Sequence, residues 1–284
     1  MARVNIVIPV YKQTPDSLEV ISLSSFIRYL SNYEITLLVP EHFDTSWYRD
    51  FFLHSNCEVG VQRFPDAYFI NIDGYNKLLT SVAFYERFTD FEYILICQPD
   101  CYIFRDDLEF WCSQEYDYVA APWLQSEWRD QVQETVVKAI LAVQGPIDKL
   151  ITRISWKVRG VFRSELFLVG NGGLSLRRVS AFKHFCSHFD AVLKTWAYNE
   201  DLFFGIYVPL RTPRFKIVNW KTAISFAVDL NPQMLMTYLD GKFPFGCHGW
   251  NRNDYPYSGN LDFWSPIIER LDPTLTDAKR RMEP

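Results

Sequence analysis

The sequence predicts an α/β fold built on a doubly wound, mixed but mainly parallel sheet. Over the first 122 residues, β-rich apolar runs alternate with stretches of helical spacing, and each such run stops at a proline. Composition agrees: of 284 residues, 48% are hydrophobic and 17% aromatic, which is ample material for a core.

Residues 4–10 read as the first strand, β-rich and closed by Pro9-Val10-Tyr11. A helix over 16–30 follows, with Leu18, Ile21, Ser25 and Leu30 on one face. Strands at 35–39 and 59–64 flank a helical stretch at 45–53, and a helix at 74–88 leads to a strand at 93–97. That last run, Tyr93-Ile-Leu-Ile-Cys97, is continuously apolar, as a strand covered on both faces should be. The βαβα order implies right-handed crossovers, with ligands collecting at the strand ends near Pro9-Val10-Tyr11, Pro40-Glu41, Pro65-Asp66 and Gln98-Pro99-Asp100.

After Trp123 the pattern changes. Residues 132–163 have helical spacing with cations interleaved, among them Lys149, Arg153, Lys157, Arg159 and Arg163. Such a segment fits peripheral contact with an anionic membrane through 149–163, or a helix with one solvated face. Residues 166–176 read as a strand interrupted by Gly170, Gly172 and Gly173, and glycines in a strand signal close approach of a ligand or another backbone. Arg177-Arg178 then opens a helical stretch to 193, a β-rich zone covers 215–228, and the charged last dozen residues are expected to fray. The chain thus divides into three parts of one domain: residues 1–122, a basic helical insertion (123–165) and residues 166–284.

Charge and cysteine usage narrow the class. Lys and Arg number 29 against 34 Asp and Glu, a net charge of −5 that offers no basic surface and excludes nucleic acid as a partner. The six cysteines form no CxxC pair and read as reduced packing residues, which with the absence of a glycosylation sequon points to the cytoplasm. The N-terminal apolar run is too short for a signal peptide, and no run reaches transmembrane length, so a soluble or peripheral protein is expected.

Three polar clusters stand in apolar surroundings: Asp100, the pair Glu200-Asp201, and His248. A carboxylate delivered to the carboxyl edge of a sheet suits a hard divalent cation and a phosphate-bearing substrate. Each cluster also has a plainer reading: a strand-ending turn at Gln98-Pro99-Asp100, an acidic helix start at Glu200-Asp201, and a hydrogen-bonded loop histidine.

Their order and contexts resemble the nucleotide-sugar glycosyltransferases of the GT-A fold. Gln98-Pro-Asp-Cys-Tyr-Ile-Phe-Arg-Asp-Asp-Leu-Glu-Phe-Trp111 is similar to that family's D-x-D segment with its apolar triplet, acidic turn and terminal aromatic. Gly170-Asn-Gly-Gly-Leu-Ser-Leu-Arg177 resembles the glycine-rich strand beside the donor sugar, Glu200-Asp201 the x-E-D motif, and His248 the late histidine of the metal site. The Gln-x-Asp and Asn-Glu-Asp wording resembles a poorly characterised bacterial subfamily.

The resemblance implies a Rossmann-like sheet with 1–122 as the nucleotide-binding half and 166–284 as the smaller acceptor-side half, and transfer of a sugar from a nucleotide-sugar donor to a saccharide or lipid-linked acceptor in cell-surface polysaccharide or glycolipid assembly. Pro9, Val10, Tyr11 and Thr14 would surround the nucleotide; Asn76 and Lys77, at a helix start, would meet its phosphates; Asn171, Gly172 and Gly173 would bring backbone amides to the sugar. Asp100 and His248 would hold the metal, a mixed oxygen and imidazole set that favours Mn²⁺ over Mg²⁺. Asp201 would be the general base of an inverting reaction, with Glu200 orienting the acceptor and Trp123, Trp250 and Arg252 lining its groove. The departure is Gln98: it stands where the motif has its first aspartate, so it brings an amide without charge. A retaining enzyme of the same fold and a non-catalytic nucleotide-sugar-binding protein are the alternatives. A sugar-1-phosphate nucleotidyltransferase is disfavoured, because Tyr11-Lys-Gln-Thr-Pro15 lacks its glycine-rich, basic signature.

Overall fold

The computed structural model describes residues 2–123 and 169–273, so the basic segment expected within 123–165, with the membrane-facing reading of 149–163, lies outside the described residues. The expected alternation is present: β1 (Ala2–Pro9), α1 (Ser17–Leu30), β2 (Glu34–Pro40), α2 (Ser46–Leu53), β3 (Val59–Phe64), α3 (Ile72–Leu79), α4 (Val82–Glu86) and β4 (Phe91–Cys97). Local chemistry sets the boundaries. Asp16 closes a capping box on α1: its carboxylate accepts from the Leu18 and Glu19 amides at 3.0 and 2.9 Å, while Glu19 accepts from the Asp16 amide at 2.9 Å.

The helix expected over 74–88 is two helices. Ser81 caps the second by accepting from the Phe84 amide at 3.2 Å, and the Thr80 hydroxyl bonds back to the Asn76 carbonyl at 2.8 Å. Adjacent hydroxyl residues offered the backbone partners outside the helix ladder, and the ladder breaks there.

Beyond β4 come β5 (Tyr102–Ile103), α5 (Leu108–Ser113), β6 (Tyr118–Ala120), β7 (Leu174–Arg178), β8 (Ala227–Val228) and β9 (Gly246–Cys247). The main sheet has six strands in the order β3-β2-β1-β4-β7-β6, parallel from β3 to β4 and antiparallel at β7 against both its neighbours. A small sheet, β5-β9-β8, packs beside it. Two further expectations are corrected. Arg177 and Arg178 end β7 rather than open a helix, which starts at Val179. Half of the zone at 215–228 is helix, Trp220–Phe226, because Asn219 caps it by accepting from the Thr222 amide at 3.1 Å; only Ala227–Val228 is strand.

The strand order places the site. β1 has β2 on one side and β4 on the other, so the chain leaves their carboxyl ends in opposite directions and a crevice opens between them. Pro9 and Val10 end β1 as buried residues, and Val10 donates to the Leu38 carbonyl at 2.9 Å; they act as anchors that present Tyr11.

One large core fills both faces of the sheet, and a second cluster gathers Tyr102, Phe104, Trp250, Trp264 and Ile268 around the small sheet and the helix Asn260–Leu271. Trp250 is fully buried there, its indole N–H donating to the Ser22 hydroxyl at 2.8 Å. Trp123 is buried against Gly170, where an added Cβ would sit 2.2 Å from the indole ring. Neither tryptophan lines an acceptor groove; burying a large ring outweighs exposing it. All six cysteines are buried free thiols. No helix among the described residues is long and apolar enough to cross a membrane. Removal of the Trp250 ring is expected to cost about 3–5 kcal/mol, so Trp250→Ala should lower the urea midpoint of unfolding well below that of the parent chain.

Candidate active site

The turn after β4 holds the first functional group. The Cys101 amide closes it on the Gln98 carbonyl at 2.9 Å, and the Gln98 amide donates to the Gly173 carbonyl at 2.8 Å, tying the turn to the mouth of β7. Asp100 therefore sits in a turn that the neighbouring strand holds in place, as the plainer reading of the motif expects.

His248 follows β9 directly and is 5% exposed. Its Nδ1 lies 2.7 Å from Asp229 Oδ1, and Asn171 Nδ2 is 3.1 Å from the same nitrogen. The Asn171 oxygen accepts the Gly173 and Leu174 amides at 2.7 and 2.8 Å, which fixes that amide's orientation. The shorter, charge-assisted contact puts the Nδ1 proton toward Asp229. Nε2 then faces Gln98 Oε1 at 3.2 Å and Asp100 Oδ1 at 3.3 Å, with the Asp100 contact at ion-pair distance only and no hydrogen bond to that oxygen among the described residues.

Once Nε2 is unprotonated, its lone pair joins those of Gln98 Oε1 and Asp100 Oδ1 at one point. Such an arrangement is repulsive until a proton or a cation enters it. Burial opposes the charge on His248, but Asp100 and Asp229 outweigh it and hold the imidazole well above its ordinary range. Burial likewise works against Asp100, yet His248 and Arg252 bring its carboxyl below the usual value. Cys101 lies within the same cluster, all ligand atoms being within 4.8 Å of one another. Its thiol donates to the Gly173 carbonyl at 3.3 Å, and burial pushes it up, so it remains a thiol and a weak ligand.

Glycine makes this packing feasible. A Cβ at Gly173 would lie 2.1 Å from His248 Nε2, and one at Gly172 would lie 2.8 Å from Glu200 Oε1. The Gly173 amide is committed to Asn171, which corrects the expectation that it reaches a donor sugar.

A cavity of 410 Å³ opens onto Asp100, lined also by Tyr11, Lys12, Gln98, Asn251 and Arg252. Lys12 is held by Glu19 at 2.7 Å and Asp16 at 3.3 Å; Arg252 packs over the Tyr257 ring at 4.3 Å, and that ring meets His248 edge-on at 5.6 Å. These two cations, rather than Lys77, face Asp100. Lys77 lines a different cavity of 330 Å³ with Asp73, Trp196 and Tyr198, and Thr14 is exposed outside both linings. Asn76 is spent on structure: it donates to Asn199 Oδ1 at 3.1 Å and accepts from the Glu200 amide at 3.3 Å.

Glu200 and Asp201 start a short helix that runs into a π-turn, Phe203–Tyr207. Glu200 is buried, its Oε1 accepting from Arg177 at 2.6 Å and its Oε2 from the Asp201 amide at 2.6 Å. Arg177 is wholly buried, also donating to Ser175 and Tyr85 at 3.0 and 3.1 Å. Burial, then the neighbouring charge of Glu200, pushes the Asp201 carboxyl up to about 8.

Sequence reasoning missed Asp229, Arg177 and Lys12. Asp229 carried the signal that marked Asp100, an acid directly after an apolar run, while Arg177 was hidden by its neighbour Arg178, since two cations in a row resemble a helix flank. Removing Arg177 leaves Glu200 buried and uncompensated: Arg177→Leu is expected to destabilise the fold by about 3–5 kcal/mol, with no rescue by Lys, which lacks the fork that reaches three partners. Thermal unfolding of the two variants beside the parent chain measures this.

No curated protein matches the chain at a significant level. Solved structures do match in fold. The apo form of mouse xyloside xylosyltransferase 1 superposes with a TM-score of 0.51 at 11% identity, over 87% of this chain and 97% of that one. The galactosyltransferase LgtC, in complex with donor and acceptor sugar analogs, gives 0.50 at 12% identity over 94% and 95%. The bifunctional glycosyltransferase WbbM gives 0.52 at 13% identity, over 95% of this chain and 51% of that one. The fold is therefore of the GT-A type. A family model described as "Protein of unknown function (DUF5672)" matches residues 58–248, more than half of the sequence, and the chain belongs to that family.

Proposed function

We propose that this chain is a glycosyltransferase that moves a sugar from a nucleotide-sugar donor to a saccharide or lipid-linked acceptor. One observation carries the reading: at the switch point of the sheet, His248 Nε2 lies 3.2 Å from Gln98 Oε1 and 3.3 Å from Asp100 Oδ1, beside a cavity that also presents Lys12 and Arg252. A nucleoside diphosphate bound there needs cationic stabilisation as its bond to the sugar breaks. The orphaned Asp100 oxygen and the Asp229-oriented imidazole fit a divalent cation, and the mixed donor set favours Mn²⁺ over Mg²⁺. When bound, the metal would neutralise charge on the leaving diphosphate. Tyr11, 62% exposed at the cavity rim, offers a ring for the nucleotide base, and Lys12 and Arg252 hold the phosphates.

Asp201 serves as general base for the acceptor hydroxyl, on the opposite side of the sugar from the leaving group, which implies inversion. Glu200, 3% exposed and bonded to the Asp201 amide, acts on the acceptor through Asp201. A carboxyl pushed up to about 8 is mostly protonated at neutral pH. That fact also favours a second reading, retention, in which Asp201 donates a hydrogen bond and the departing phosphate takes the acceptor's proton.

The two readings give opposite pH profiles. An acid with a raised pKa gains its base form as pH rises, so inversion predicts turnover that climbs to a plateau above about 8, and retention predicts turnover that falls through the same window. The anomeric configuration of the product, read by NMR beside turnover from pH 6 to 9 on a panel of UDP-, GDP- and TDP-sugars, decides between them. Asp201→Asn should flatten the profile in either case. If Asp100→Ala and Asp201→Ala both leave transfer intact, the assignment fails.

Metal binding is tested separately by calorimetry with Mn²⁺ and no donor. Asp229→Ala should weaken affinity about 10- to 100-fold by releasing the histidine ring. Gly173→Ala, whose Cβ would displace the ring, should do the same with secondary structure unchanged by circular dichroism. Equal Mn²⁺ affinity in Asp100→Ala and the parent chain would show that the metal binds elsewhere.

A further inference from the structure

On the sheet face that carries Asn5, towards the strand starts rather than the carboxyl edge, lies a groove of 710 Å³ whose lining differs from that of a packed sheet. Strands of a parallel sheet are covered by helices and are normally apolar on such a face. Here the register places Asn5 of β1 beside Glu34 of β2, and Thr36 of β2 opposite Gly60, two residues before Gln62 of β3. Partners in register point the same way, so Asn5, Glu34, Thr36 and Gln62 form a polar row on one face. Asn5 is 2% exposed, Thr36 is 8% exposed, and the Asn5 amide oxygen has no hydrogen-bond partner among the described residues. A buried amide oxygen without a partner beside a groove marks unused hydrogen-bonding capacity there.

The remaining wall comes from the segment between α4 and β4. Arg87 and Asp90 stand exposed at the rim, and the rings of Phe88 and half-buried Phe91 complete the lining. The charges exclude the simplest ligands. One guanidinium against the carboxylates of Glu34 and Asp90 disfavours an anion, and Arg87 at the rim disfavours a bare cation. The amides of Asn5 and Gln62 and the Thr36 hydroxyl each both donate and accept, and aromatic carbon lies beside them. A neutral polyhydroxylated ring has that dual character, with hydroxyls around its edge and C–H groups on its faces.

We propose that this groove is a saccharide-binding site separate from the Asp100 cavity. Its residues are absent from the linings of both cavities at the candidate active site. The inference stands on the groove's own chemistry and holds whether or not the chain transfers sugars. In a transferase, a second foothold would keep a growing saccharide at high effective concentration near the reacting end.

Saturation-transfer NMR on the full chain, with a panel of neutral mono- and disaccharides built from glucose, galactose, mannose and N-acetylglucosamine as probes, tests it. At least one probe should give a signal that persists in Asp100→Ala and under saturating UDP. The signal should fall at least about fivefold in both Arg87→Ala and Gln62→Ala, whose side chains lie at the rim and whose unfolding temperatures should match the parent's. A Thr36→Val variant, which keeps shape and removes one hydroxyl, should reduce it as well. Silence from every probe overturns the proposal, and so does a signal that survives Arg87→Ala and Gln62→Ala but disappears in Asp100→Ala.

Discussion

The buried contact between Arg177 and Glu200 is the constraint on which the rest of the site depends. Two charges leave water to make it, at a desolvation cost that only good geometry offsets. The guanidinium meets that condition with Glu200 at 2.6 Å, Ser175 at 3.0 Å and Tyr85 at 3.1 Å, and it lies over the rings of Tyr118 and Phe182. The pair fastens β7, paired on both sides by β4 and β6, to the short helix that carries Asp201. Glu200 in turn holds the Asp201 amide, raises the Asp201 carboxyl by its charge, and occupies the space that Gly172 leaves. Sheet, glycine loop and acidic helix are thereby joined through one side chain.

β7 supplies the second half of the site because it runs against β4. A parallel strand would bring its carboxyl end to this edge, whereas β7 brings its start. The loop that enters it, Asn171 to Gly173, therefore lies beside the turn that leaves β4. Asn171 shapes that loop, Gly173 lets His248 approach, and Gln98 clasps it by a backbone bond. Gln98 thus has a place of its own in the geometry: its amide oxygen takes the position from which an acidic residue would add charge, and it adds a lone pair without one.

Much of this was legible from the sequence. The alternating runs gave the first four strands nearly to the residue, because an apolar β-rich run ended by proline has few other interpretations. Asp100, Glu200, Asp201 and His248 stood out as polar islands in apolar contexts, and the fold brings Asp100 to His248 and joins Glu200 to Asp201. What failed was direction. Spacing placed Lys77 near a helix start, whereas it lies in the last turn of α3 and lines the other cavity. Trp250 and Trp123 were expected to stack on sugars, yet the fold had core to fill at both places. At Asn219 and Ser81 short-range capping overrode the apolar pattern, a competition that propensity alone does not resolve.

If a divalent ion binds as proposed, the imidazole between Asp229 and Asp100 would make the site an exchanger. One nitrogen, Nε2, would be the place for either a proton or the ion, while the other nitrogen lies 2.7 Å from Asp229. Loading with metal would then expel a proton, and at a given metal level occupancy would decline by up to about tenfold for each unit that pH drops below the imidazole's own titration. Acidity and metal supply would therefore be read by this chain as a single variable, the ratio of two ions competing for one lone pair.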